Sequence, residues 1–262
     1  YLRVARKEPE YGNLLKRGIE AVYSIVMAIV TFVLRLTPYG ILAIMASTLA
    51  TSDFAAIWTL GKFLLASYTA LITMYLIHLI ILGVLGINPV RYVKKTLEVL
   101  IFAFTSRSSA GSLPLNIQTQ TQRLGVPEGI ANFSATFGLS IGQNGCAGIY
   151  PAMLAIMVAP VAHVHIDFQF VITLIAVVII SSFGVAGVGG GATFASILVL
   201  STLNLPVALA GVLISIEPLI DMGRTALNVN DSILAGTGTA RLTKNWDKQT
   251  FESNNDGELS SN

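Results

Sequence analysis

Charge is what this sequence has least of: Asp, Glu, Lys and Arg make up 11% of its 262 residues, against 53% hydrophobic, with a mean hydropathy of +0.71. That balance excludes a soluble domain and makes the chain an integral membrane protein. Cysteine is nearly absent, and a lone Cys146 excludes an internal disulfide or a cysteine-based metal cluster. The formal net charge is only +2, with basic residues in short clusters rather than along a face, so nucleic acid is not an expected partner. The opening Y-L-R-V-A-R-K-E-P-E-Y is no signal peptide and starts on Tyr1, so further segments are expected upstream.

The few charges that are present gather where they cost most. In E-P-L-I-D-M-G-R-T-A-L-N-V-N-D-S, Glu217, Asp221, Arg224, Thr225, Asn228 and Asp231 or Ser232 follow at spacings of three and four. On a helix they share one face, opposite Leu219, Ile220, Met222, Ala226, Leu227 and Val229. Three or four ionisable groups facing lipid would cost on the order of 10 kcal/mol, so this face must look into protein or a watery cavity. One account is a structural Asp221/Arg224 ion pair. The other is a receptacle for a zwitterion, which the additional Thr225 and Asn228 favour.

The remaining chain reads as spans with two irregular interludes. Arg3, Arg6, Lys7, Lys16 and Arg17 precede an apolar run from Ile19 to Leu49, and by the positive-inside rule that end is cytoplasmic. A second span covers Phe63 to Leu85 and returns at the basic Arg91, Lys94 and Lys95; His78 within it reads as a satisfied core group or a ligand. Between 97 and 123 two half-length segments flank T-S-R-S-S-A-G-S-L-P-L, the pattern of a re-entrant hairpin, with an ordinary cytoplasmic loop as the alternative. Ser108 and Ser109 are candidate tip residues, while Arg107 has no assigned role. The span from Ile130 to Val161 contains G-L-S-I-G-Q-N-G-C-A-G-I-Y-P, whose glycines suit either an unwound segment with available carbonyls or close helix packing. His163 and His165 form a weak metal pattern and are read as surface. Residues 169–200 repeat the interruption around S-S-F-G-V-A-G-V-G-G-G-A-T, a second hairpin entering from the opposite side. Two interrupted segments in corresponding positions point to a transporter with inverted repeats.

These four motifs, the serine-rich tip, G-Q-N-G-C-A-G-I-Y, S-F-G-V-A-G-V-G-G-G and D-M-G-R-T-A-L-N-V, stand in the order found in the dicarboxylate/amino acid:cation symporters, the glutamate transporter family. The resemblance covers nearly the whole chain, and the wording of the first two motifs is similar to that of bacterial L-cystine symporters. It implies an all-α integral membrane elevator transporter with two re-entrant helical hairpins and a broken transmembrane helix. It also implies a homotrimer in the plasma membrane, the bacterial inner membrane, with a small amino-acid substrate, lipid contacts and no cofactor. The chain would begin before the family's fifth helix. Residues 1–56 would be partial scaffold and 57–245 the transport domain, with hairpins about 93–123 and 167–201, a broken helix about 128–161 and a final helix about 206–240. Residues 246–262 would be a disordered cytoplasmic tail.

Carried over residue by residue, Asp221 would bind the substrate α-amino group and Asn228 its α-carboxylate, helped by Ser108, Ser109 and Thr225. Arg224 would take a side-chain carboxylate, which suits its planar fork. Cys146 stands where acidic-amino-acid members carry threonine, and the second tip, Val188 to Ala192, would be the gate. A cation site is implied at Ser140, Gly142, Asn144, Ser182, Asn228, Asp231 and Ser232. Here the chain departs from the family: Gly142-Gln143-Asn144-Gly145-Cys146 replaces N-M-D-G-T, and the later aspartate aligns with Ser232 while Asp231 comes one residue early. The coupling ion is then sodium or, in its place, a proton. Gly189 stands where proline is common, so a wider gate for a longer substrate is expected.

Cystine has two amino acid ends, and the model that follows gives one to Asp221 and Asn228 and the far carboxylate to Arg224. Glu217 receives the second ammonium, titrates, or serves as a helical partner. The expected function is cation-coupled L-cystine uptake, with a glutamate, aspartate or C4-dicarboxylate symporter as the alternative. An intramembrane enzyme is disfavoured, since no His in the motif region could act as a serine's base.

Overall fold

A computed structural model describes residues 54–184, 190–207 and 216–253, together with scattered helical positions between 10 and 39. The chain divides into two compact units, Tyr1–Ser47 and Thr48–Asn262. The expected span from Ile19 to Leu49 lies almost wholly outside the described residues, where only Ala21, Ile25 and Tyr39 are seen, each helical.

In the second unit every described regular element is helical. Helix α1, Phe54–Val84, is 31 residues long and contains a 24-residue stretch, Gly61–Val84, of mean hydropathy 1.9. Since about 20 apolar residues span a bilayer, it is long and apolar enough to cross one. Ile72, Leu76, Ile80 and Val84 recur every fourth residue and are exposed, whereas Phe63, Leu71, His78 and Leu82 are buried. Gly86, at φ +74°, turns the chain, and the Asn88 side chain caps the next helix by accepting from Val90 N and Arg91 N. Pro89 at the first position needs no such partner, so α2, Pro89–Ser106, starts there.

Arg107 ends α2 in the left-handed conformation, φ 55°. The serine-rich tip follows as a tight turn in which Gly111 N donates to Ser108 Oγ at 2.9 Å and Ser112 N to Ser108 O at 3.0 Å. The short α3, Leu113–Gln118, then runs into a π-helical turn, Thr119–Arg123. After Gly125 comes α4, Glu128–Gly138. The helical ladder breaks over residues 139–143 and resumes as a π-helical turn, Asn144–Ile149, and α5, Tyr150–Val161. A second helix pair follows, α6 (Phe168–Ser182) and α7 (Gly191–Thr202). The charged stripe lies on α8, Glu217–Leu242.

Helix α8 is the axis of this unit. It packs against α1, α2, α4 and the π-helical turn Asn144–Ile149, while α5 lies on α7 and α7 on α6. Two apolar clusters result: one joins Phe63, Tyr150, Leu154, Val199, Leu200 and Ile220, the other Leu82, Tyr92, Val99, Leu124, Ile233 and Phe251. Both of the competing uses of glycine occur in the broken helix. Residues 139–143 are unwound, and Gly138 and Gly145 are close-packing sites: a Cβ at Gly138 would lie 2.6 Å from Ser232 Cβ, and one at Gly145 2.9 Å from Arg224 Cα.

The expected disordered tail over 246–262 is corrected at its start. Residues 248–252 form a fifth-turn-length helix, α9 (Lys248–Glu252), capped by Asp247, with Phe251 buried. Trp246 Nε1 donates to Leu124 O at 2.7 Å, Asp247 N to Gly125 O at 2.9 Å, Arg91 Nη1 to Glu252 O at 2.7 Å and Lys95 Nζ to Ser253 O at 3.0 Å. Hydrogen bonds from Thr250 hold the Asp247 carboxyl below the usual carboxylate range. Composition alone reads this segment as polar, but two aromatic rings 5.1 Å apart and a run of backbone acceptors give it an anchor.

Gly125 makes that anchor possible. Its φ is +70°, and an added Cβ would overlap the Asp247 carbonyl oxygen. Gly125→Ala is therefore expected to cost about 1–3 kcal/mol of stability, read as a lowered melting temperature with a changed Trp246 emission. An unchanged melting temperature would mean that the segment is not fastened at Gly125.

Candidate functional site

Three pieces of chain converge on the first two turns of α8: the tip after α2, the unwound segment before α5, and α5 itself. Arg107 reaches from the tip, with Nε donating to Asp221 Oδ2 at 3.0 Å and Nη2 lying 3.9 Å from Glu217 Oε2. From α8, Arg224 Nη2 donates to Asp221 Oδ1 at 3.1 Å and to Glu217 Oε1. Two guanidinium groups and two carboxylates therefore neutralise one another. Arg224 is fully buried, and its Cζ sits 4.1 Å above the centre of the Tyr150 ring.

Burial of four charges is tolerable because each has a partner; removing one partner of a buried pair leaves an uncompensated charge. Yet the cluster is not saturated. Arg224 Nε and Nη1 and the Tyr150 hydroxyl have no hydrogen-bond partner among the described residues. Buried donors of this kind are uncommon in a resting protein and suit a ligand that brings acceptors.

The unwound segment is tied to α8 just below this cluster. Gly145 N donates to Asn228 Oδ1 at 2.7 Å, and Asn228 Nδ2 donates to Gln143 Oε1 at 2.9 Å and Cys146 Sγ at 3.0 Å. Asn228, assigned to the α-carboxylate by resemblance, thus has its amide engaged by the segment that holds Cys146. The other substrate candidates are placed as follows. Ser109 and Thr225 are buried, Ser108 shapes the tip, and Ala192 is buried in the first turn of α7 in the same apolar cluster as Cys146 and Tyr150. Val188 lies outside the described residues.

Of the cation candidates, Gly142, Asn144, Ser182 and Asp231 line one cavity of about 300 Å³, with Gln143, Gly148 and Val178. Ser140 is exposed on the turn after α4. Ser232 Oγ accepts from Asn116 Nδ2 at 2.7 Å and donates to Val229 O at 2.8 Å. Asp231 accepts from Asn144 N at 3.2 Å, and His78 Nε2 lies 3.2 Å from its other oxygen. His78 is a satisfied buried group, as its apolar setting allowed, and its partners are polar residues of α8.

Sequence patterning missed Arg107, Tyr150 and Gln143 as members of this region. Arg107 carried a signal, a cation inside a small-residue tip, but its partners are 110 and 114 positions away, as read from the numbering of Glu217 and Asp221.

A model of the sodium:dicarboxylate symporter family matches residues 3–242. The chain is 65% identical over 253 residues to the L-cystine uptake protein TcyP of Bacillus licheniformis, covering 96% of this chain and 55% of that protein. It is 63% identical over 257 residues to TcyP of Shouchella clausii, covering 98% and 55%, and 60% identical over 252 residues to TcyP of Bacillus cereus, covering 96% and 54%. The chain spans about half the length of the curated relatives it matches.

Proposed function

The chain belongs to the sodium:dicarboxylate symporter family, and from that premise we propose that it serves cation-coupled uptake of L-cystine across the cell membrane. Relatives at 60–65% identity are L-cystine uptake proteins, which supports the substrate. The observation that carries the reading is the cluster of Glu217, Asp221, Arg107 and Arg224. Cystine presents two ammonium and two carboxylate groups, and the cluster offers two carboxylates and two guanidinium groups. Each end of the substrate exchanges one internal ion pair for two external ones, so the site passes from empty to loaded without stranding a charge. The donors of Arg224 and Tyr150 that lack partners receive the far carboxylate, and Asn228 keeps the unwound segment in register with Arg224.

The movement proposed is that of an elevator. Helix pairs α2/α3 and α6/α7 act as re-entrant hairpins, and they travel with α8 and the broken helix against a scaffold in a homotrimer within a multi-pass bacterial membrane protein. Support comes from the short paired helices, the interruption at 139–143 and the packing of α8 against the tip, all of which place non-helical backbone against protein rather than lipid.

A dicarboxylate is the second reading, since the family description names one. It would occupy both arginines and leave Glu217 and Asp221 without cations. Competition separates the two: unlabelled cystine and other diamino dicarboxylic acids are expected to suppress labelled cystine uptake, while a hundredfold excess of succinate or aspartate leaves most of it. Strong suppression by succinate would overturn the cystine reading.

A further inference from the structure

Resting on the uptake reading above, we propose that the coupling ion is a proton, carried on Asp231 and positioned by His78, and not a sodium ion.

The family is named for sodium, but the residues implied for it do not fit that ion. A hard cation needs several oxygen lone pairs converging on one point. What converges on Asp231 is N–H: the backbone of Asn144 at 3.2 Å on Oδ2 and the His78 ring at 3.2 Å on Oδ1. Asn228 Oδ1 is likewise taken by Gly145 N–H, and Ser232, standing where the resemblance expects an aspartate, offers a hydroxyl already engaged by Asn116. These are the surroundings of a carboxylate, not of a metal ion.

The ring state follows from the hydrogen bonds. Tyr92 Oη donates to Asn230 Oδ1 at 2.9 Å, which turns Asn230 Nδ2 toward His78 Nδ1 at 3.0 Å. Nδ1 is thereby an acceptor, so the single ring proton sits on Nε2 and points at Asp231. Tyr75 from α1 and Tyr92 from α2 are the other titratable groups here; α6 presents Val178, Ile179 and Ser182, and the unwound segment presents Asn144. The 300 Å³ cavity lined by Asp231, Asn144 and Ser182 provides the approach for water. A hydronium ion there passes its proton to Asp231 Oδ2, forming the carboxylic acid and leaving water; the bond from Asn144 N–H weakens, and His78 keeps its own proton.

This couples to substrate through three consecutive residues. Asn144 is held by Asp231, Gly145 by Asn228, and Cys146 by Asn228 beside the Arg224 cluster. Protonation changes the first tie and so the seating of the other two. It also settles the charge. The four-charge cluster and zwitterionic cystine are each neutral, whereas ionised Asp231 beside a neutral His78 leaves one negative charge to be moved through a low-dielectric barrier. One proton per cystine removes it.

The test uses the intact protein in proteoliposomes. With sodium absent, an acid-outside pH gradient is expected to drive accumulation of labelled cystine at least tenfold above equilibrium, and a sodium gradient at equal pH to drive none. Asp231→Asn is expected to lose the accumulation but to retain labelled cystine exchange against an unlabelled internal pool. His78→Gln, which can still donate to Asp231, is expected to keep accumulation with its pH midpoint shifted by about half a unit or more. Proton uptake on cystine binding, followed with a pH indicator in weak buffer, should be about one per site in the unaltered protein and near zero in Asp231→Asn. Accumulation driven by sodium alone, or pH-driven accumulation surviving in Asp231→Asn, overturns the proposal. So does loss of exchange and binding in that variant at normal expression, which would make Asp231 structural. Absence of cystine exchange in the unaltered protein would instead sink the uptake reading itself.

Discussion

Cystine uptake by an Arg224→Ala variant is expected to fall by about 100-fold or more, because truncating one partner of a buried charge pair in a binding site costs roughly 2–5 kcal/mol. The effect has two sources. The far carboxylate loses the donors Nε and Nη1, which have no partner among the described residues, and Glu217 loses its nearer cation. Arg107 remains, 3.0 Å from Asp221 but 3.9 Å from Glu217, so the site keeps one complete zwitterion receptor and half of another. The variant should accordingly lose dicarboxylic substrates while still exchanging neutral amino acids, which need one end only. The measurement is uptake of labelled cystine and a labelled neutral amino acid in parallel, with monodisperse elution in detergent as the control for folding. Cystine uptake at the level of the unaltered protein would remove the two-ended model.

A second large effect is expected from a single methyl group at Gly145. There an added Cβ would stand 2.9 Å from Arg224 Cα and 3.0 Å from Arg224 Cβ and O, all atoms that cannot swing away. The unwound segment must then retreat from α8, which breaks the 2.7 Å bond from Gly145 N to Asn228 and shifts Cys146 out of the site. Gly145→Ala is expected to retain less than about a tenth of cystine uptake, since displacements well under 1 Å in a positioned site cost an order of magnitude or more. Gly148→Ala provides the comparison: its Cβ would meet only Asn144 Oδ1, at 3.2 Å, a side-chain atom with room to yield. If the two variants transport alike, the close approach at Gly145 has no bearing on transport.

What could be read from the sequence and what could not divide along one line. Periodicity placed Asp221, Arg224, Thr225 and Asn228 on one face because that face follows from residue spacing within a single helix, and glycine clustering marked the interruption between Gly138 and Asn144 because it is a local backbone property. Partnerships across elements left no such trace. Glu217 had three readings, and the structure pairs it with Arg224 and Arg107. Arg107 reaches Asp221 only because it ends α2 at φ 55°, a left-handed position that composition does not reveal for arginine. His78 and Asp231 meet across 153 positions of numbering, and each alone looked ordinary. The segment after Leu242 was judged by its polar composition, which hid the burial of Phe251.

That last segment bears on how the protein can be handled in the laboratory. Trp246, Asp247 and Phe251 latch onto the turn at Leu124 and Gly125, while Arg91 and Lys95 grip the segment's final carbonyls, so both ends of the helical pair bearing the serine tip share one fastening. A purification handle or fluorescent reporter joined after Ser253 leaves that fastening whole. A stop codon at 245 would discard it, and the tip would then sit on a hinge with nothing to hold its base.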